Sequence, residues 1–318
     1  MARRALRITT AAGITMLGVL AGGGQAFAIT ASSHPAATRA AKSRGSASTS
    51  GNDISYPQCG KTFPSGQAFG IVGLNGGLAN DLNPCFGPSA SYPVAKSELY
   101  WAVATSTGAV AAQPKASLYL NTADPGNSYN GSPITDWPTS GTTPYGSCTT
   151  TTISTSSGSY TVGQNTPACA WQYGYDKAST DVSWLASAAN AIDAAGPAVT
   201  VPSSASAYPW WLDVETVNTW QTGTGGQAMN VADLEGMIAA LRAAGATTTG
   251  IYSTSAQWSQ ITGSAVSSTS SLNGLPDWIP GARTSSAATS NCGQTSFTVG
   301  TVTLTQWIAR SVDYDHFC

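Results

Sequence analysis

In Trp210-Trp211-Leu212-Asp213-Val214-Glu215 two carboxylates stand two residues apart at the end of an apolar run. On a strand, successive side chains point to opposite faces, so Asp213 and Glu215 share one face while Leu212 and Val214 take the other. Residues i and i+2 on one strand face lie roughly 6.5–7 Å apart. At that spacing two carboxyls reach the same bond of a substrate, or raise one another's pKa. This is equipment for general acid/base chemistry. Tyr208, Trp210 and Trp211 bring large rings next to the pair, and such rings serve as sugar-stacking surfaces as well as core filler. Of the three glutamates, Glu98, Glu215 and Glu235, only Glu215 falls on an expected strand. The same local pattern also fits partly buried, hydrogen-bonded carboxylates with no chemistry.

The surrounding chain supplies the elements that would hold this pair. Asp53-Ile54-Ser55-Tyr56-Pro57-Gln58 reads as a short strand ending in a turn, and Phe69 to Gly77 as a buried strand running into glycines. A helix is expected from Tyr92 to about Thr105, then a strand over Ala116–Asn121 that stops at Asp124-Pro125-Gly126. A second helix is expected from Ser183 to about Ala195, leading into the carboxylate strand. The clearest helical period follows it: Asn230 as N-cap, Leu234, Met237, Ile238 and Leu241 on one face, and Gly245 as the stop. Strands are expected at Thr249–Ser253, Leu275–Pro280 and Thr301–Trp307, with no clear helix between the last two. Strand alternating with helix implies an α/β chain with a parallel sheet or barrel. Residues 127–168, rich in Ser, Thr, Gly, Pro and Asn, interrupt the rhythm and read as an insertion, an exposed loop or small hairpin held by one disulfide.

Composition narrows the function classes. The chain has 318 residues, 42% hydrophobic and 9% charged, enough for one sizeable core. Three arginines, an apolar stretch to about Leu20 and then Ala26-Phe27-Ala28 read as a signal peptide over residues 1–28. Residues 29–51 have the composition of a disordered or wall-facing leader, and the remaining domain spans 52–318. No later run is apolar enough to span a bilayer, so a secreted or cell-wall-associated protein is expected. Beyond residue 50 there are seven basic against fifteen acidic residues, a net charge of −8. That argues against a nucleic-acid partner, because phosphate-backbone affinity comes from Lys and Arg. Six cysteines in an exported chain imply three disulfides, for which sequential pairing (Cys59–Cys85, Cys148–Cys169, Cys292–Cys318) closes three local loops. With no CxxC spacing and only His34 and His316, neither a zinc site nor a cofactor is expected. His316 reads as a surface residue, and a monomer is the expectation.

Taken in order, several segments resemble the lysozyme-type muramidases of glycoside hydrolase family 25. Asp53-Ile54-Ser55-Tyr56-Pro57-Gln58 is similar to the family's opening Asp-x-Ser-x-x-Gln strand and Leu212-Asp213-Val214-Glu215 to its Asp-x-Glu strand. Ile251-Tyr252-Ser253 with Trp258 resembles its fifth strand. Leu304-Thr305-Gln306-Trp307 and Val312-Asp313-Tyr314-Asp315 resemble its close. The resemblance covers roughly residues 52–318. It implies an irregular TIM-like (β/α) barrel with helices missing in the C-terminal half, and a site at the C-terminal strand ends. It implies Glu215 as general acid, with Asp213, Asp53 and Asp313 orienting substrate or stabilising charge and Asp315 as an alternative to Asp313. The implied reaction is cleavage of glycosidic bonds in peptidoglycan or a related amino-sugar polymer, by direct nucleophilic attack or with help from the substrate's acetamido group. Trp211, Tyr252, Trp278 and Trp307 are candidate sugar platforms, and Gln58 a further substrate contact. Two departures are visible: Gly73-Leu74-Asn75-Gly76-Gly77 lacks the family's charged segment after the second strand, and Leu118-Tyr119-Leu120-Asn121-Thr122 lacks its aromatic-His-Phe pattern. A catalytically silent glycan-binding domain on the same barrel is the competing expectation, and a disulfide-stabilised structural protein a third.

Overall fold

A computed structural model describes residues 48–76, 80–155 and 158–318. The expected signal peptide and most of the expected leader lie outside the described residues. The chain opens with β1 (Gly51–Ile54) and β2 (Gly70–Gly73), followed by helix α1 (Glu98–Thr105) and β3 (Ala116–Asn121). Helix α1 is shorter than the expected span from Tyr92. Ser97 caps it by accepting from the Tyr100 amide at 3.3 Å, and the residues ahead form only a 3-10 turn, Val94–Lys96.

The insertion folds as three small hairpins. They pair β4 (Ser128–Tyr129) with β5 (Ser132–Pro133), β6 (Gly141–Thr143) with β7 (Gly146–Cys148), and β8 (Thr150–Thr155) with β9 (Gly158–Gly163). Trp137 is buried beneath them against Tyr173, with ring centroids 5.0 Å apart, and the Cys148–Cys169 disulfide ties the hairpins to the next helix. That helix, α2 (Pro167–Ala194), starts well before the expected Ser183: Thr166 caps it and Pro167 occupies its first turn, where a missing N–H costs nothing.

Next come β10 (Trp210–Asp213), α3 (Gly223–Ala243), β11 (Thr249–Tyr252), α4 (Ser255–Thr262) and β12 (Asp277–Ala282). The order ends with α5 (Ser285–Asn291), β13 (Val302–Ala309) and β14 (Val312–Phe317). Helix α3 begins at Gly223, so Asn230 is not its cap. The Asn230 carboxamide is buried in mid-helix, accepting from the Gln221 amide at 3.1 Å and donating to the carbonyls of Gln221 and Ile261, both at 2.9 Å. A tertiary tie thus occupies the residue that reads as a helix start. Helix α5 is also a correction. Its seven small residues bury only Ala288, which leaves no apolar period to read. Helices α2 and α3 cross closely because a Cβ on Gly174 would stand 2.0 Å from the Asp233 carbonyl oxygen.

Eight of these strands close a barrel in the order β1-β14-β13-β12-β11-β10-β3-β2. All neighbours are parallel except β14, which runs antiparallel to both β13 and β1. Because a tight hairpin joins β13 to β14, no helix is needed there, and α4 and α5 are short. The barrel is therefore irregular and helix-poor in its C-terminal half, as the sequence implies. Side chains alternate with strand parity. Val72, Leu118, Leu120, Leu212, Val214 and Ile251 face outward into one core with Leu185, Leu234, Ile238 and Leu241 of the helices. Ile71, Trp211, Trp278 and Leu304 fill the barrel interior. Each such fully buried side chain contributes roughly 1.5–3 kcal/mol.

All three sequential disulfides are formed. Among the described residues, no helix is long and apolar enough to cross a membrane.

Candidate active site

Strand parity brings the expected acids together. β10 ends at Asp213, and Glu215 lies just past it. The extended path continues that far because the Val214 amide donates to the Tyr252 carbonyl at 2.9 Å and Ser253 Oγ donates to the Val214 carbonyl at 2.7 Å. Asp213 and Glu215 consequently face the barrel mouth, opposite Leu212 and Val214. On the far side, Asp53 of β1 pairs in register with Asp313 of β14. Since β14 is antiparallel, its first residues reach the end of the barrel where the parallel strands finish. Asp53, Asp213, Glu215 and Asp313 thus line one cavity of about 200 Å³, whose other walls are Tyr119, Tyr252, Trp278, Gln306 and Ile308.

The polar contacts inside form a chain. Tyr252 Oη donates to Gln306 Oε1 at 3.1 Å, and Gln306 Nε2 donates to Asp53 Oδ2 at 3.0 Å. Trp278 is the floor: Tyr252 packs edge-on against it with centroids 4.5 Å apart, and Tyr119 does so at 6.2 Å. Tyr119 reaches the cavity across β2 only because residue 73 is glycine. A Cβ there would lie 2.6 Å from the Tyr119 ring and 2.7 Å from its hydroxyl.

Enclosing several carboxyls in one barrel mouth disfavours their ionised forms. Burial and then the charge of Asp313 push Asp53 up to about 7, against the Gln306 hydrogen bond that favours ionisation. Burial, then Glu215 and Asp53, hold Asp213 well above the usual carboxylate range. Glu215 is raised by burial and partly restored by Gln257. Burial also raises Asp313. Of the adjacent pair, Asp213 is the more enclosed, at 7% exposure, while Glu215 is half-buried at the rim. The carboxyl implied as general acid, Glu215, is thus not the deeper of the pair. The two titrate as a unit, and Glu215 is the member open to an incoming substrate.

The remaining expected contacts divide. Tyr252 and Trp278 line the cavity. Trp211 does not: it is 1% exposed, two residues deeper on the same strand face as Asp213, with its ring edge-on to Trp278 at 5.9 Å. Trp307 points out of the barrel, stacked on Tyr314 at 5.2 Å beside Ala288. Asp315 is fully buried under Asp53, and burial with the charges of Asp53 and Asp313 keeps it well above the usual range. It is therefore an interior group with no access to substrate. Gln58 folds back to accept from the Ser55 amide at 3.1 Å and lines a neighbouring cavity. His316 stands opposite Thr305, whose hydroxyl donates to Ala288 outside the barrel, so it too faces outward. Tyr119, Gln306 and Ile308 are cavity walls that the sequence reading did not single out. Their parity with Ser117 and Leu304 is the signal that finds them.

Among the described residues Cys59, Cys85 and Glu98 lie close enough to share an ion, but the two sulfurs are joined in a disulfide and offer no thiolate.

A family model described as Lysozyme-like protein 1 matches residues 185–275, the stretch that carries β10, Asp213, Glu215, α3 and β11. Over that stretch the chain is similar to lysozyme-like proteins. The resemblance read from the sequence and this match meet on the same carboxylate segment. Among solved structures, a muramidase from Trichobolus zukalii is similar at 15% identity, over 85% of this chain and 94% of that one, with a TM-score of 0.41. A structure titled GHIP, a glycosyl hydrolase 25 and virulence factor of Streptococcus pneumoniae that participates in host cell invasion, is similar at 13% identity. It covers 85% of this chain and 87% of that one, with a TM-score of 0.34. No curated protein sequence matches the chain.

Proposed function

We propose that the protein is an exported glycoside hydrolase that cleaves glycosidic bonds in peptidoglycan or a related amino-sugar polymer, with Glu215 as general acid. The observation that carries this reading is the single cavity in which Asp53, Asp213, Glu215 and Asp313 converge above an aromatic floor. Glycoside cleavage needs a protonated carboxyl beside the leaving oxygen and a carboxylate to stabilise positive charge on the ring. Glu215 suits the first role, being raised by burial yet open at the rim. Asp213 behind it is held above the usual carboxylate range by burial and by the charges of Glu215 and Asp53, which disfavours a second negative charge beside the acid. Asp313, half-buried, suits the second, and the Tyr252–Gln306–Asp53 chain holds Asp53 beside it. Tyr252 and Trp278 offer ring faces and edges to the sugar. Export follows from the expected signal peptide over residues 1–28 and accords with three disulfides.

The test is release of new reducing ends from purified bacterial peptidoglycan by the disulfide-bonded protein and its Glu215→Gln variant. Activity in the first and none in the second supports a hydrolase with this acid. Equal activity in both removes Glu215 from the mechanism. Binding to the polymer without turnover in either identifies a silent glycan-binding barrel.

A further inference from the structure

The wall formed by Asp53 and Asp313 has a second cavity on its other side, also of about 200 Å³. The two spaces share both aspartates and are therefore adjacent. Their charges differ. Every charged residue lining the first is acidic, whereas the second brings in Lys61. Lys61 is exposed, and its ammonium makes no ion pair among the described residues, where the one such pair is Lys177–Asp136. A second cation lies close by, since Lys96 Nζ donates to the Lys61 carbonyl at 3.4 Å. The lining also includes the apolar Phe63 and Pro64 and the hydroxyl residues Thr62 and Ser311.

Ser311 reaches the cavity from the turn between β13 and β14, where Arg310 (φ 53°) and Ser311 (φ 60°) both adopt the left-handed region without a glycine. Side-chain-bearing residues enter that region at a cost of roughly 1–2 kcal/mol each. A two-residue hairpin turn of this kind requires positive φ at both central positions, and this turn sets Ser311 at the edge of the cavity.

We propose that this second cavity is a subsite for a carboxylate carried by the glycan, with Lys61 as its charge partner. The inference rests on the glycan-hydrolase reading and deepens it, by specifying an acidic rather than a neutral polymer. A carboxylate fits better than a phosphate, because either anion would face Asp53 and Asp313 and the repulsion rises with its charge, while one exposed lysine offsets about one unit. The carboxylate has two sources in a bacterial wall polymer, the lactyl group of a peptide-free sugar and the free acid of an attached peptide.

The test measures binding by calorimetry in the Glu215→Gln background, where turnover does not consume the probe. Three probes are compared: a neutral N-acetylated chitin oligosaccharide, a peptide-free peptidoglycan strand with free lactyl carboxylates, and a peptide-bearing strand. Lys61→Ala is expected to weaken one or both acidic strands by about fivefold, the upper end for an exposed ion pair. It should leave the chitin oligosaccharide unchanged, Lys61→Arg should restore the affinity, and added salt should erase the difference. The acidic strand that responds identifies the source of the carboxylate. If all three probes bind and Lys61→Ala affects none, or all equally, the subsite proposal is overturned while the glycan reading stands. If no probe binds, the glycan reading fails and takes the subsite with it.

Discussion

Replacing Glu98 by Gln is expected to stabilise the protein at neutral pH while leaving its stability near pH 4 unchanged. Glu98 is the first residue of α1 and is fully buried. Its Oε2 accepts from Asn83 Nδ2 at 2.7 Å, and Oε1 lies 3.1 Å from Cys85 Sγ, a disulfide sulfur with no proton to give. Burial pushes this carboxyl from its ordinary 4.5 up to about 8, against the Asn83 hydrogen bond. The folded protein therefore holds a proton that the unfolded chain releases above about pH 4.5. For a group raised in this direction, the full stability is present below its unfolded pKa and is lost progressively up to its folded pKa. Between pH 4 and pH 7 the loss from this one group is about 3 kcal/mol. Gln has the shape of the protonated acid: its carbonyl can accept from Asn83 and its amide can face the sulfur. Urea unfolding at pH 4, 5.5 and 7, with disulfides intact, measures the difference directly, because the other raised carboxyls contribute to both proteins. The variant's advantage should open as pH rises. Parallel curves, or a less stable variant at pH 7, would refute the claim that Glu98 is protonated in the fold.

Further outcomes follow from the site. Glu215→Gln should lower hydrolysis by about 10²–10⁴-fold with polymer binding retained, read as reducing ends and by sedimentation with the polymer. Asp313→Asn removes the like charge beside Asp53 and should bring its pKa down from about 7, whereas Gln306→Leu removes a stabilising donor and should raise it; carboxyl carbon NMR titration reads both. Gly73→Ala forces a methyl group against Tyr119 and is expected to cost about 1–3 kcal/mol, seen in the denaturation midpoint. Paired Cys292→Ser and Cys318→Ser substitutions open a loop of 26 residues and should cost about 3 kcal/mol by the same measurement.

The barrel strands were legible where apolar runs stop at turn residues: β3 falls on the expected Ala116–Asn121, and Asp213 and Glu215 share the expected face. Local pattern failed where tertiary contacts decide. Asn230 looks like a cap, yet three hydrogen bonds with Gln221, ahead of its helix, and with Ile261 of α4 hold it in the middle of α3. The helix start at Gly223 lies in a Gly-Thr-Gly-Gly run of low helix propensity. Trp211 and Trp307 looked like sugar platforms because ring type and nearness to a strand end say nothing of depth. Depth depends on register across strands, as Trp211 opposite Tyr119 illustrates, and a single strand does not carry it. The second cavity was equally invisible, since Lys61 and Ser311 are brought together only by closure of the barrel.

That closure has a bearing on when the protein first becomes able to act. Asp53 sits on the first strand of the barrel and Asp313 on the last, and the two become neighbours only when β14 slots between β13 and β1. A nascent chain still lacking residues 312–317 has seven parallel strands with two open edges, no Asp313, and neither cavity complete. No amino-terminal fragment, however long, assembles the site before that strand arrives. The candidate site is thereby withheld from unfinished chains, and the open edges make prompt delivery of the last strand the step that guards against aggregation.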